Sequence, residues 1–192
     1  LEIDFWIKLA SIAFLLMLSA LFSSAESAFF SLSRGTLEKL RESSDPRAKR
    51  VARMMEDPRL LLTSILSGNT IVNTVTAVVA ALMALDIARS LNFNPTAVIT
   101  VEVAVLSVVL LFMAEIMPKL LALKNPEDWA IQSSGVVKAI CVLLIPIAAP
   151  ISWLTLNLAQ MIGVEQQGVM AMSESEIRSL VQVGHEHGEL EL

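Results

Sequence analysis

The stretch from Leu60 to Leu85, LLLTSILSGNTIVNTVTAVVAALMAL, runs for twenty-six residues without a charged side chain. Wound as an α-helix at about 1.5 Å per residue it would be about 39 Å long, more than the roughly 30 Å of a bilayer's hydrocarbon core. Ala139 to Val164 is equally long and equally uncharged. Of the 192 residues, 55% are hydrophobic and 17% charged, against about 25% charged in soluble domains. Only helices or closed barrels satisfy their backbone polar groups in lipid, and runs of this length are helices. The expected fold class is an all-α membrane protein.

Two further segments flank the first. One covers about 5–30 and is uncharged from Leu9 to Ala25; the other covers about 96–123 and carries Glu102 and Glu115. Between the first two segments lies a polar stretch, Arg34 to Arg59, with eight of the fourteen Lys and Arg residues. By the positive-inside rule this stretch is cytoplasmic, which puts the N-terminus outside and the end of the third segment, marked by Lys119 and Lys124, inside. Within it Leu37, Leu40, Ala48, Val51 and Met55 recur near a helical period around Pro46. That spacing predicts juxtamembrane helices over about 34–57, lying on the inner surface with basic residues toward lipid headgroups.

The fourth segment, from Val136 to about Val164, carries Pro146 and Pro150. Each proline removes a backbone donor and crowds the preceding turn. A full crossing would also leave the following tail outside the membrane. Ser173-Glu-Ser-Glu176 has the spacing of a capping box and opens a helix through Ile177, Leu180 and Val181. The expectation is therefore three transmembrane helices plus a re-entrant or interfacial pair over 128–164; a kinked full span is the alternative. Residues 1–164 are then the transmembrane domain, and 165–192 start a cytoplasmic helical linker cut short before a further domain.

Polar side chains inside lipid usually face a bundle interior or an ion path. Ser19 and Ser23 share a helix face, extended by Glu26 and Ser27. Thr63, Ser67, Thr70 and Thr74 form a stripe beside Ser67-Gly68-Asn69. Glu115 precedes Pro118, which frees the Ala114 carbonyl from its helical partner. Counted from the segment ends, all three clusters fall in the inner half of the membrane. They offer hydroxyls, an amide, backbone carbonyls and one carboxylate, an all-oxygen set suited to Mg2+, Ca2+ or Na+ rather than zinc or copper. The plainer reading is that Ser, Thr and Gly allow helices to pack closely. Glu102 belongs nearer the outer interface, and Glu26 nearer the inner boundary, where a cytoplasmic base can pair with it.

Other chemistry finds little support. A net charge of −5 argues against nucleic-acid binding. Cys141 is the one cysteine, so it forms no intrachain disulfide, and it reads as a packed thiol. Glu2 and Asp4 ahead of the first apolar run, with no cleavage pattern after it, speak against a removed signal peptide. His185 and His187 lie in a polar terminal stretch and make a weak metal motif. A phosphate-binding loop, a dinucleotide fingerprint and a nucleophile elbow are all missing, so no enzyme is expected.

Three ordered motifs resemble the CorC and cyclin-M (CNNM) family of magnesium transporters: LSALFSSAESAFFSLSR over 18–34, SGNTIVN over 67–73 and AEIMPK over 114–119. Many relatives have glycine where this chain has Ala114. The resemblance implies a homodimer in the plasma membrane, the inner membrane in a bacterium, with cytoplasmic nucleotide-binding CBS domains after the C-terminus. It implies a dehydrated Mg2+ in an inward-facing cavity, and export coupled to sodium influx. Carried over by position, the ligands would be drawn from Ser19, Ser23, Ser67, Gly68, Asn69 and Glu115, with Asn73 in reserve. The competing hypothesis is a membrane-embedded, ion-responsive sensor or scaffold that transports nothing.

Overall fold

A computed structural model describes residues 2–161, and the regular elements among those residues are all helices joined by short turns. The Ser173–Glu176 helix start, the linker over 165–192, His185 and His187 lie outside the described residues. The helices are α1 (Glu2–Phe30), α2 (Arg34–Glu42), α3 (Pro46–Met54), α4 (Pro58–Ser90), α5 (Pro95–Val109), a π-helix (Leu110–Ile116), α6 (Met117–Lys124) and α7 (Pro126–Met161). Four of the helical stretches are long and apolar enough to cross a membrane: Ile3–Phe30, Pro58–Ser90, Pro95–Lys124 and Pro126–Leu158. The protein is a multi-pass membrane protein.

Helix starts follow one local rule. Asp45-Pro46, Asp57-Pro58 and Asn94-Pro95 each place a capping oxygen before a proline at the first helical position. Asp57 Oδ1 accepts from Leu60 N at 3.0 Å, and Asn94 Oδ1 from Thr96 N at 2.9 Å. Proline costs nothing there, because its missing N–H would have had no intrahelical partner. Asn125-Pro126 repeats the pair before α7. Helix α4 ends with Asn92 at φ 55° and the Phe93 amide donating to Ala88 O at 2.9 Å, a six-to-one closure that spares the last carbonyls.

The core sits where α1 meets α4. On α1, Ser19, Phe22, Ser23, Ala25, Ala28 and Phe29 are buried, whereas Ile3, Trp6, Phe14 and Met17 are exposed as apolar surface that a bilayer can solvate. On α4 the buried residues include Ser64, Gly68, Val72, Thr76, Ala80, Ala84 and Ala88, one every fourth position. Small side chains at that spacing let backbones approach closely. The hydroxyl stripe read from the sequence lies elsewhere: Thr63 and Ser67 are half-buried, while Thr70 and Thr74 are exposed and Thr74 Oγ1 donates to Thr70 O at 2.8 Å. In lipid a threonine can satisfy itself on its own helix, so hydroxyl spacing alone does not choose the buried face; side-chain size does.

Gly68 is the tightest point of this packing. A Cβ there would fall 2.6 Å from Phe22 Cε1 and 2.8 Å from Leu144 Cδ1, so α1 and α7 both close on α4 at one residue. At the basic end, α3 buries Ala48, Val51 and Ala52, and Arg50 Nη1 donates to Ser134 Oγ of α7 at 3.4 Å. The juxtamembrane helices thus bury their apolar face, and Arg50 turns to α7.

The helix pair expected over 128–164 is, within the described residues, one helix, Pro126–Met161, with Pro146 and Pro150 inside it. Both prolines are exposed, while Ala130, Ser134, Val137, Leu144 and Ala148 are buried along the opposite stripe. The physical reason is that each proline forfeits one hydrogen bond, whereas a break in lipid would leave several backbone groups bare at several kcal/mol each. The chain divides into two compact units, Leu1–Trp153 and Leu154–Leu192, and the core belongs to the first.

Gly68→Ala is expected to destabilise the protein by about 1–3 kcal/mol, because a methyl group has no room between two side chains. Thermal unfolding in detergent would register it, and adding Phe22→Leu should recover part of the loss.

Candidate cation site

The C-terminal half of α1, which packs on α4, buries two serines four residues apart and therefore one above the other on the same face. Ser19 Oγ lies 2.8 Å from Asn69 Oδ1 and 2.7 Å from Asn73 Oδ1. Asn69 and Asn73 are themselves one turn apart, so a single hydroxyl spans both amides. Three oxygens meet at this point, yet one hydroxyl has one proton to give. The trio is satisfied either by reversing one amide so that its NH2 donates, or by a cation among the oxygens. One amide rotation separates the two arrangements.

One turn further along α1, Ser23 is 1% exposed and its Oγ has no hydrogen-bond partner. Its neighbours satisfy themselves: Ser24 Oγ donates to Leu21 O at 2.9 Å, and Ser64 Oγ to Leu60 O at 2.7 Å. A hydroxyl left bare in a packed interior costs about 1–3 kcal/mol. Ser23 therefore stands apart from the serines that merely pack. Ser67 is half-buried and Gly68 buried, both inside the unbroken α4. Gly68 is committed to close packing through its missing side chain, and its carbonyl sits in regular helix.

The third element changes its winding where Glu115 stands. Pro118 has no N–H for the Ala114 carbonyl four residues back. The chain widens into a π-helix over Leu110–Ile116, and the Met117 amide donates to Phe112 O, five residues behind it. π-Turns of this kind loosen the backbone register and recur at functional positions. Ala114, 1% exposed, faces the bundle. Glu115 is about half exposed and pairs with Lys119 at 3.5 Å, while the same ammonium pairs with Glu26 of α1 at 3.2 Å. One lysine holds two carboxylates from two helices.

Of the six residues singled out from the sequence, the structure joins Ser19 and Asn69 directly and buries Ser23 one turn along α1 from Ser19. Glu115 is tied to α1 through Lys119 and Glu26 instead. Asn73 has the same standing as Asn69, a signal available in their four-residue spacing. Lys119 had its own signal, one turn from Glu115. Among the described residues, no three His, Cys, Asp or Glu side chains gather into a metal cluster. An ion held here would thus rely chiefly on hydroxyl, amide and backbone oxygens, a weak and exchangeable set for a hard cation.

Residues 10–192 match the model of a family described as the cyclin M transmembrane N-terminal domain. The chain is 27% identical over 166 residues to the "UPF0053 inner membrane protein YfjD" of Escherichia coli, covering 85% of this chain and 37% of that protein. A "UPF0053 protein" of Haemophilus influenzae is 28% identical over 167 residues, 86% of this chain and 38% of that one. A chloroplastic DUF21 domain-containing protein of Arabidopsis thaliana is 27% identical over 181 residues, 94% of this chain and 26% of the relative. The chain spans well under half the length of these relatives.

Removing the shared hydroxyl gives a direct check on the trio. In a double-mutant cycle of Ser19→Ala with Asn73→Ala, unfolding free energies should be coupled by about 1 kcal/mol, the worth of one buried hydrogen bond. Additive losses would show that the hydroxyl is not shared.

Proposed function

We propose that this chain, which belongs to the cyclin M transmembrane N-terminal domain family, is the membrane pathway of a magnesium transporter that takes Mg2+ from the inner side. Ser19, Ser23, Asn69 and Glu115 are its working ligands, with Ser67, Asn73 and the Gly68 backbone beside them. The observation that carries this reading is the unpartnered, buried Ser23 Oγ one turn along α1 from Ser19, where three oxygens converge. Closely packed polar groups normally satisfy one another; an unsatisfied oxygen beside others is suited to a cation that comes and goes.

The charges suit the same cycle. Without an ion, Lys119 pairs with both Glu26 and Glu115, and its single positive charge leaves one carboxylate charge unbalanced. An arriving dication competes with that ammonium for Glu115, so loading exchanges a tethered cation for a free one. A second ion, sodium in this reading, would drive export. The homodimer, the nucleotide-binding CBS domains beyond this chain, residence in the plasma or inner membrane and the absence of enzymatic activity complete the proposal. They rest on the resemblance of the motifs. An outside N-terminus and a cytoplasmic C-terminus are part of it too. That arrangement requires α7 to lie slantwise against the bundle without emerging on the outer side. A Gln166→Cys variant in a Cys141→Ser background should then react with an impermeant maleimide only from the inner side; reaction from outside would make α7 a full span.

Magnesium titration of the purified protein tests the site. Glu115→Gln and Ser23→Ala should each weaken Mg2+ binding, Glu115→Gln by about tenfold or more, as losing a charged hydrogen-bonding partner implies. Unchanged binding in both variants returns the cluster to helix packing. Binding without Mg2+ flux from liposomes holding the full-length protein favours the sensor or scaffold.

A further inference from the structure

A second ionisable group inside the membrane is left out of that site. Glu102 stands seven residues, about 10 Å, along α5 from its outer end at Pro95. Both carboxyl oxygens are buried, and neither has a hydrogen-bond partner. They sit in a groove of about 590 Å³ between α4 and α5, walled by Ala80, Met83, Ala84, Val98, Val101 and Val105.

The charges around it are spoken for. Glu102 is the one charged residue of α5. On α4, Asp86 is held by Lys8 of α1 and lies 3.8 Å from Arg89. The π-helix and α6 bring Glu115 and Lys119, paired with each other. None of these groups lines the groove.

An ionised carboxylate shut among apolar side chains with no partner would cost several kcal/mol, far more than a neutral acid with one unmade hydrogen bond. A metal ion would not solve the problem. The other polar side chain in the groove is Asn94, whose Oδ1 already caps α5, and sodium, calcium or magnesium needs several more oxygens. A proton needs one. We propose that Glu102 is a proton-binding site in the outer half of the bundle, neutral while the α4–α5 groove is dry. When the groove admits water, the O–H bond breaks, its electron pair stays on the carboxylate and the proton passes to water. This inference stands independently of the magnesium reading, since it shares no residue with that site.

Infrared difference spectroscopy of the full-length protein in lipid, wild type against Glu102→Gln, tests it. At pH 7 the wild type should show a protonated-carboxyl C=O stretch that the glutamine variant lacks and that shifts in Glu102→Asp. Glu102→Gln, an isostere of the acid, should keep the wild-type unfolding temperature. Adding sodium or magnesium at fixed pH should leave the band in place. Absence of a Glu102-dependent band in the folded protein at pH 7 would overturn the proposal, and so would a band abolished by either metal ion.

Discussion

Everything in this bundle depends on how closely α1 can come to α4. Inside lipid there is no hydrophobic gain in pressing two apolar helices together, so contact has to come from shape and from polar groups that find partners. Gly68 supplies the shape, by leaving a notch that Phe22 and Leu144 fill. Ser19 supplies the polar link, reaching both amides of α4. The two belong together: a wider gap at Gly68 would carry Ser19 out of reach of Asn69, one residue further along.

The same constraint explains how the site is furnished. Close packing around Gly68 excludes water, so each polar atom there is paired or costly. Most serines solve this by donating back to their own helix, and Ser23 does not. The wide turn before Pro118 solves a different problem, giving backbone groups new partners once proline has removed one. In both places the residues of interest are those where the local accounting of hydrogen bonds does not close by itself.

Much of this was legible in the sequence. Long uncharged runs pointed to the helical membrane class, the spacing of Leu37, Leu40, Ala48, Val51 and Met55 around Pro46 marked the short helices α2 and α3, and the Ser19–Ser23 face pointed to the polar centre. Three things were not legible. Hydroxyl spacing suggested Thr70 and Thr74 for the interior, but a hydroxyl bonded to its own helix can face either way, and the small-residue stripe decided the packing. Pro146 and Pro150 suggested a broken segment, but exposed prolines on a helix buried along its other side leave it whole. Glu115 appeared as a lone carboxylate because Lys119 was counted as a marker of the membrane edge, although it stands one turn away and reaches a second helix.

The buried positions of α4 recur every four residues, whereas the helix turns once in about 3.6. Each step therefore advances by about 40°, and the six steps from Ser64 to Ala88 wind the contact line about 240° around the axis. Near Gly68 the line faces α1 and α7; by Ala80 and Ala84 it faces α5. Helix α4 is thus gripped on different sides at its two ends, like a shaft held by opposed bearings. Added bulk at Gly68 therefore presses on α1 and α7, whereas added bulk at Ala84 projects toward the α5 groove, so the two substitutions disturb different helix pairs.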